Sequence, residues 1–231
     1  MTAHNGNGPG QSAPKPSLTE EAYARIKTQI LNNRLPPGFQ ALEPELAQRL
    51  GMSRTPVREA LIRLREDGLV EIIRRRGMRV LPVSPDDMRE IYEALCCIES
   101  EAAALLAARQ PPPDTAPLDR AMAEMEQALE KDDLDAWAVA DNDYHRAVVG
   151  LCGNSRLAAI AVTLQNQAHR ARMFTLRLRE KPVRSTSDHR DQVEAIAAGD
   201  SDGVRRMFRA HRQRAAEELL DILERFRLHS L

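Results

Sequence analysis

Gly51-Met52-Ser53-Arg54-Thr55-Pro56-Val57-Arg58-Glu59-Ala60-Leu61 reads as a tight turn running into a new helix. Glycine suits the left-handed terminus of a preceding helix. Ser53 to Thr55 supply the new start, and Pro56 is tolerated there because the first turn has no internal amide bond to lose. Val57, Ala60, Leu61 and Leu64 recur at helical spacing and predict the buried side. Before the turn, a short helix around Glu43 to Leu50 carries Leu46, Ala47 and Leu50 on one side. Two helices joined by a glycine turn make a helix-turn-helix pattern.

Working outward, Ser17-Leu18-Thr19-Glu20 has capping-box spacing, and Tyr23, Ile26, Ile30 and Leu31 follow at helical period, predicting a first helix to about Asn33. Leu35-Pro36-Pro37-Gly38 stops it. On the other side, Leu69 to Ile73 and Met78 to Val83 are β-prone runs separated by Arg74-Arg75-Arg76-Gly77, which predicts a hairpin wing with a basic tip. Ser84-Pro85-Asp86-Asp87 then offers an N-cap, a proline at the first helical position and early acids. No strand is predicted beyond it. Helices are expected at about 85–109, 114–131, 133–151, 155–180, 185–198 and 201–228, an all-α bundle. The expected fold is therefore mainly α, a winged helix-turn-helix over 18–83 followed by a helical effector-binding and dimerisation domain over 84–231. Residues 1–17 read as a disordered tail.

The 231 residues carry a formal net charge of −1, which taken whole argues against a nucleic-acid partner. That average hides a division. Residues 1–83 hold 13 of the 33 Lys+Arg and 8 of the 34 Asp+Glu, leaving 20 and 26 for residues 84–231. Only the first part has the sign expected for binding phosphate. No apolar run is long enough to cross a bilayer, and the N-terminal stretch lacks the basic start and apolar core of a signal peptide. Three cysteines, two of them adjacent at Cys96 and Cys97, suit no disulfide framework, so a reducing cytoplasm is expected.

The first turn of the third helix places Arg54, Thr55 and Arg58 off the apolar side, where a recognition helix meets base edges in the major groove. Arginine suits this task because its planar fork grips guanine O6 and N7 together. Arg74, Arg75, Arg76 and Gly77 at the wing tip would reach phosphates or a neighbouring groove, with glycine permitting close approach.

Three ionisable patterns recur in the second part. Leu134, Trp137, Asp141, His145 and Val148 share one helical stripe, His189 shares a face with Val193 and Ile196, and His211 lies on the stripe of Val204, Phe208, Ala215, Leu219 and Ile222. Unpaired buried ionisable groups are costly, so three helices pointing such groups inward ask for a common partner. A divalent transition metal held by Asp141, His145, His189 and His211 answers that need. Zinc is the first choice for this donor set, with nickel, manganese and iron left open. His169 has no comparable support and is left as a pocket-lining, outer or surface residue.

Leu35-Pro36-Pro37-Gly38, Glu45-Leu46-Ala47, the run Leu50 to Leu61 and Asp67-Gly68-Leu69-Val70 resemble the winged-helix domain of the GntR family of bacterial transcription regulators. The resemblance implies homodimers on short palindromic operators, Arg54 and Arg58 as base-reading residues, and Arg76-Gly77 as the wing tip. Asp141-x-x-x-His145, Gly153-Asn154-x-x-Leu157, His189-x-x-x-Val193-x-Ala195-Ile196-x-x-Gly199-Asp200 and His211 are similar to the FCD effector domain of the FadR-type subfamily, and the six expected helices favour its shorter, VanR-like branch. That likeness implies a small carboxylate effector bound over a metal. Two positions depart from the pattern. Glu43-Pro44-Glu45 stands where many members have Glu-Arg-Glu, and Leu95 stands where relatives often carry a pocket arginine. A carboxylate effector then needs another cation, and Arg172, in register with Leu157, Ala161, Leu164 and Ala168, is the candidate.

The expected function is a non-enzymatic, ligand-responsive regulator that binds double-stranded operator DNA as a homodimer and has no membrane partner. Two other readings use the same residues. In one the metal is itself the effector; in the other the Asp/His set is a hydrolase centre activating water. No general base, nucleophile elbow or phosphate loop accompanies it, which weighs against the hydrolase.

Overall fold

The computed structural model describes residues 16–111 and 114–226, and within them the chain begins with the helix that its capping box predicts. Ser17 Oγ accepts from the Glu20 amide at 3.2 Å, and the Glu20 carboxylate accepts from the Ser17 amide at 2.8 Å. This starts α1 (Leu18–Leu31), which ends two residues sooner than expected, with Asn33 turning into a left-handed conformation. The expected tail lies outside the described residues except for Pro16 and Ser17, and His4 and His229 lie outside altogether.

A two-residue strand β1 (Gln40–Ala41) precedes α2 (Glu43–Leu50) and α3 (Arg54–Glu66). Gly51, at φ +67°, makes the left-handed turn between the two helices. Strands β2 (Val70–Ile73) and β3 (Gly77–Val80) form the wing, paired antiparallel with Ile73 opposite Gly77. The expected two-stranded hairpin is in fact a three-stranded sheet in the order β1-β3-β2. A strand of two residues has no alternation to read, which is why β1 was not predicted. Ile26, Ile30, Leu46, Val57, Leu61, Leu64, Met78 and Val80 pack into one core under these elements.

Ser84 and Pro85 open α4 (Pro85–Ala107), with Ser84 Oγ accepting from the Asp87 amide at 3.4 Å. It is followed by α5 (Ala116–Glu130), α6 (Leu134–Leu151), α7 (Ser155–Thr175), α8 (Val183–Ala197) and α9 (Ser201–Arg225). The helix expected to run to residue 180 stops at Thr175 and tightens into a single 3-10 turn, Leu176–Leu178. Thr175 Oγ1 donates back to the Ala171 carbonyl at 2.9 Å, and Pro182 bars any simple continuation. A large apolar core centred on Ala102, Leu106, Met125, Trp137, Tyr144, Val148 and Phe208 joins α4, α5, α6 and α9. No helix among the described residues is long and apolar enough to cross a membrane.

Candidate nucleic-acid interface and metal centre

Helix α3 buries Pro56, Val57, Ala60, Leu61 and Leu64 and leaves Arg54, Thr55 and Arg58 exposed. Arg74, Arg75 and Arg76 are likewise exposed at the wing turn, where Arg75 adopts φ +66°. Among the described residues these five arginines make no ion pair, whereas nearby Arg25 and Arg79 pair with Glu21 and Glu71. Their guanidinium groups are thus uncommitted and facing solvent. Gly77 owes its identity to a contact within the fold. Its φ is +82°, and a Cβ there would stand 2.1 Å from the Ala41 carbonyl oxygen and 2.7 Å from Leu42 Cα. Pro44, the departure in α2, sits inside that helix's first turn, while the Glu45 carboxylate accepts from the Leu42 amide at 3.0 Å.

In the bundle, His145 from α6, His189 from α8 and His211 from α9 converge, each offering a ring nitrogen within 4.8 Å of those of the other two. All three are buried. Asp141, one turn before His145, places Oδ1 3.0 Å from His189 Nε2 and 3.8 Å from His145 Nε2. The sequence stripes therefore meet at one point. Each ring also meets a polar group on its Nδ1 side: His189 is hydrogen-bonded to Gln192 Oε1 at 3.2 Å and His211 to Asp188 Oδ2 at 3.1 Å, and His145 Nδ1 lies 3.1 Å from Glu99 Oε2. Holding Nδ1 fixes the ring and aims Nε2 elsewhere, the way an imidazole is presented to a metal. The contact of His145 with Glu99 is a close charge approach without hydrogen-bond alignment, and neither ring nitrogen has a hydrogen-bond partner, which leaves Nε2 available as a ligand.

Charge state favours the same use. Burial, helped by the Arg212 charge, pulls His145 down to about 4, and burial with His189 nearby holds His211 well below the ordinary imidazole range. Neutral imidazoles are the form that binds metal. Burial alone would raise the Asp141 carboxyl, but Arg172 and the two histidines outweigh it and keep it ionised. Glu99 is lowered too, with Arg212 and His145 overcoming its burial. Arg212 binds it in a two-pronged pair, both contacts at 2.6 Å. The three imidazoles thus fit a divalent metal, whereas Asp141, the fourth expected ligand, stands outside that group, with Oδ1 on His189 and Oδ2 on Arg172.

Arg172 faces inward, as its register predicts, and is buried. Its Nη1 lies 2.6 Å from Asp141 Oδ2, so its charge is already balanced. Arg179, just past the 3-10 turn, was missed. Its Nε and Nη2 are buried without partners, and it lines a cavity of about 370 Å³ with Trp137, Leu176, Lys181 and Ile222. It lies close enough to Arg172 and Asp141 to feel both charges. His169 is buried beside Arg172, its Nδ1 unpartnered, and burial followed by that charge lowers it to about 3. Glu99, Arg212, Gln192 and Asp188 were also not predicted as site residues. Glu99 was legible: it sits on the buried stripe Met88, Tyr92, Leu95, the same signal that marks Asp141 on α6.

A winged helix-turn-helix head with uncommitted arginines followed by a helical bundle with a buried polar centre is the architecture of a DNA-binding transcription regulator. The comparisons make this specific. Residues 18–80 match "Bacterial regulatory proteins, gntR family" and residues 90–214 match "FCD domain", and the chain belongs to the GntR family with an FCD effector domain. An HTH-type transcriptional regulator in the TAR-I ttuE-ttuC' intergenic region of Agrobacterium vitis is 43% identical over 143 residues, 61% of this chain and 84% of that protein. The repressor RspR of Escherichia coli K12 is 26% identical over 216 residues, 92% of this chain and 93% of its own. In structure the chain is similar to E. coli McbR/YncC, with TM-score 0.79 and 24% identity over 88% of this chain and 97% of that one. The family and the two sequence relatives are transcription regulators and not enzymes, which removes the hydrolase reading.

Proposed function

We propose that the protein binds a palindromic operator as a homodimer and that a small carboxylate, bound over a zinc ion in the C-terminal bundle, changes its affinity for that operator. The observation that carries this reading is the convergence of His145, His189 and His211, each ring fixed from behind by Glu99, Gln192 or Asp188. Such a set holds a metal rather than wasting three buried imidazoles. Bound there, the ion would supply a Lewis-acidic anchor for an anionic ligand.

The chain's own residues supply the rest of the site. Asp141 has one oxygen toward the histidines and the other on Arg172, so Arg172 orients the ligand set. Arg179 takes over as the leading cation for the carboxylate, because its unpartnered nitrogens need an acceptor, Leu95 stands where relatives carry a pocket arginine, and the charges of Arg172 and Asp141 reach it from the metal centre. On the DNA side, Arg54, Thr55 and Arg58 read base edges, while Arg74, Arg75 and Arg76 contact phosphate or the adjoining groove. The dimer and the palindrome go together, since a two-fold operator matches a two-fold protein.

Selection of bound duplexes from a random pool tests the operator, and recovery of no palindrome would reject it. Metal analysis of protein purified without chelator tests the site; zinc well below one per chain would reject the ion. Titrating zinc and then a panel of small carboxylates against the selected operator separates two modes. If zinc occupancy alone tunes operator affinity, the ion is itself the effector.

A further inference from the structure

Helix α7 presents two opposite faces to two different parts of the molecule. Gln165, His169 and Arg172 lie three and four residues apart, so they form one stripe, and all three are buried in the polar centre. Gln165 Nε2 donates to Glu99 at 2.9 Å and to the His145 carbonyl at 3.0 Å, and Arg172 pairs with Asp141. Gln167 and Arg170, three residues apart, fall on the far side of the helix. Both reach the DNA-binding head, and both bind its backbone.

Arg170 Nη1 donates to the Leu81 carbonyl at 2.7 Å and Nη2 to the Pro82 carbonyl at 3.3 Å. Gln167 Nε2 donates to the Asp67 carbonyl at 3.1 Å. These grips sit at informative places. Asp67 ends α3 and precedes β2; Leu81 follows β3, and its amide donates to the Leu69 carbonyl at 3.1 Å. The wing therefore hangs between the two points that α7 holds. Asp67 also ties the head together, since Tyr23 donates to its carboxylate at 2.5 Å and Lys27 at 2.9 Å. Arg170 is only 2% exposed and has no carboxylate partner within salt-bridge distance among the described residues, so its two Nη groups are committed to the linker carbonyls while Nε stays unpartnered. A residue with only a packing role at this place would be apolar.

We infer that α7 is a two-faced lever, with Arg170 and Gln167 as positioning residues that hold the recognition helix and both roots of the wing to the face opposite the metal and effector site. The coupling rests on the proposed reading of that site; the grip itself does not. A ligand that shifts α7 by pulling on His169 or Arg172 moves Asp67 and Leu81 together, and with them the spacing of the two heads in a dimer. Coupling needs such a shared element whose position both sites bias.

Hydrogen exchange on the full-length chain tests this, following amides over residues 67–83 with and without zinc. In zinc-free protein, Arg170→Ala is expected to speed exchange over 67–83 about fivefold or more while peptides from α5, α6 and α8 stay unchanged. Arg170→Lys, which keeps one donor to the linker, is expected to restore part of the protection. Unchanged exchange over 67–83 in Arg170→Ala would overturn the grip. In the wild type zinc is expected to alter exchange over 67–83, and in Arg170→Ala zinc is expected to bind by calorimetry with the same stoichiometry yet leave that segment unmoved. A zinc response that survives the substitution, or one missing from zinc-loaded wild type, would overturn the coupling. Failure of the wild type to bind zinc would sink the metal reading instead, and the zinc-free comparison would still decide the grip. Gln167→Ala, at a half-buried position, gives the same readout should Arg170→Ala unfold.

Discussion

Glu99 Oε2 lies 3.1 Å from His145 Nδ1 while both oxygens of the same carboxylate are gripped by Arg212 at 2.6 Å. One buried acid thus does two jobs. It aims the His145 ring at Asp141 and the other histidines, and it neutralises a guanidinium that is itself buried. Neither charge is tolerable alone in this setting.

Glu99→Gln should therefore separate ring positioning from ligation, because it touches no metal ligand atom directly. Zinc affinity, measured by competition with a chromophoric chelator, is expected to fall about 10–100-fold. Urea unfolding of the zinc-free protein should show a loss of about 3–5 kcal/mol, since Arg212 keeps its charge without its partner. Wild-type zinc affinity in this variant would mean that His145 is positioned by packing alone.

On the DNA side the two groups of arginines should respond differently. Arg58→Ala is expected to weaken operator binding by about 1–3 kcal/mol and to relax the preference at one base pair. Arg75→Ala, at a turn pointing away from the fold, should weaken all sequences alike and lower the salt slope by about 1. Fluorescence anisotropy across a salt series with cognate and scrambled duplexes distinguishes them. Equal losses on both duplexes for Arg58→Ala would assign it to phosphate.

What could be read from sequence follows a physical division. Helices with strong caps and long stripes, such as α1 with its capping box and α4 behind Ser84-Pro85, were legible because local chemistry decides them. The same held for Asp141, His145, His189 and His211, since an ionisable group on an apolar stripe is visible at helical period. Asp188 and Arg212 were not, because each stands next to a histidine and off its stripe, and only the packing of α8 on α9 and of α4 on α9 gives it a partner. Arg170 was hidden for a similar reason. Its contacts are to Leu81 and Pro82, about ninety positions away, and a side chain that binds a carbonyl leaves no mark on the partner's identity. Gly77 was legible as a glycine turn, but its cause, the Ala41 strand beside it, was not.

Gly77 and Gly51 make a matched pair for that last point. Both have positive φ, but a Cβ on Gly51 would meet nothing within 4 Å, whereas on Gly77 it would strike the Ala41 carbonyl. Gly51→Ala should cost only the left-handed backbone term, about 1–2 kcal/mol. Gly77→Ala should cost more, because β1 must move away from β3 as well. Thermal unfolding of the two variants checks the order, and equal losses would mean that the wing yields freely.

Acid should destabilise the zinc-free protein through its buried neutral histidines. His169 is lowered to about 3 and His145 to about 4 from the ordinary 6.5, each by burial first and then by a nearby arginine. A histidine whose folded value is depressed takes up its proton more readily when unfolded. Its contribution is therefore complete above about 6.5 and is lost as pH falls toward the folded value. At pH 5 the loss is about 2 kcal/mol for each ring. The urea midpoint of chelated protein should accordingly drop between pH 7 and pH 5, and His169→Gln, which removes one of three depressed rings, His211 being the third, should flatten that drop by roughly a third. A midpoint that holds steady across this range would mean that these rings can charge inside the fold, and the neutral imidazoles assigned to the centre would have to be abandoned.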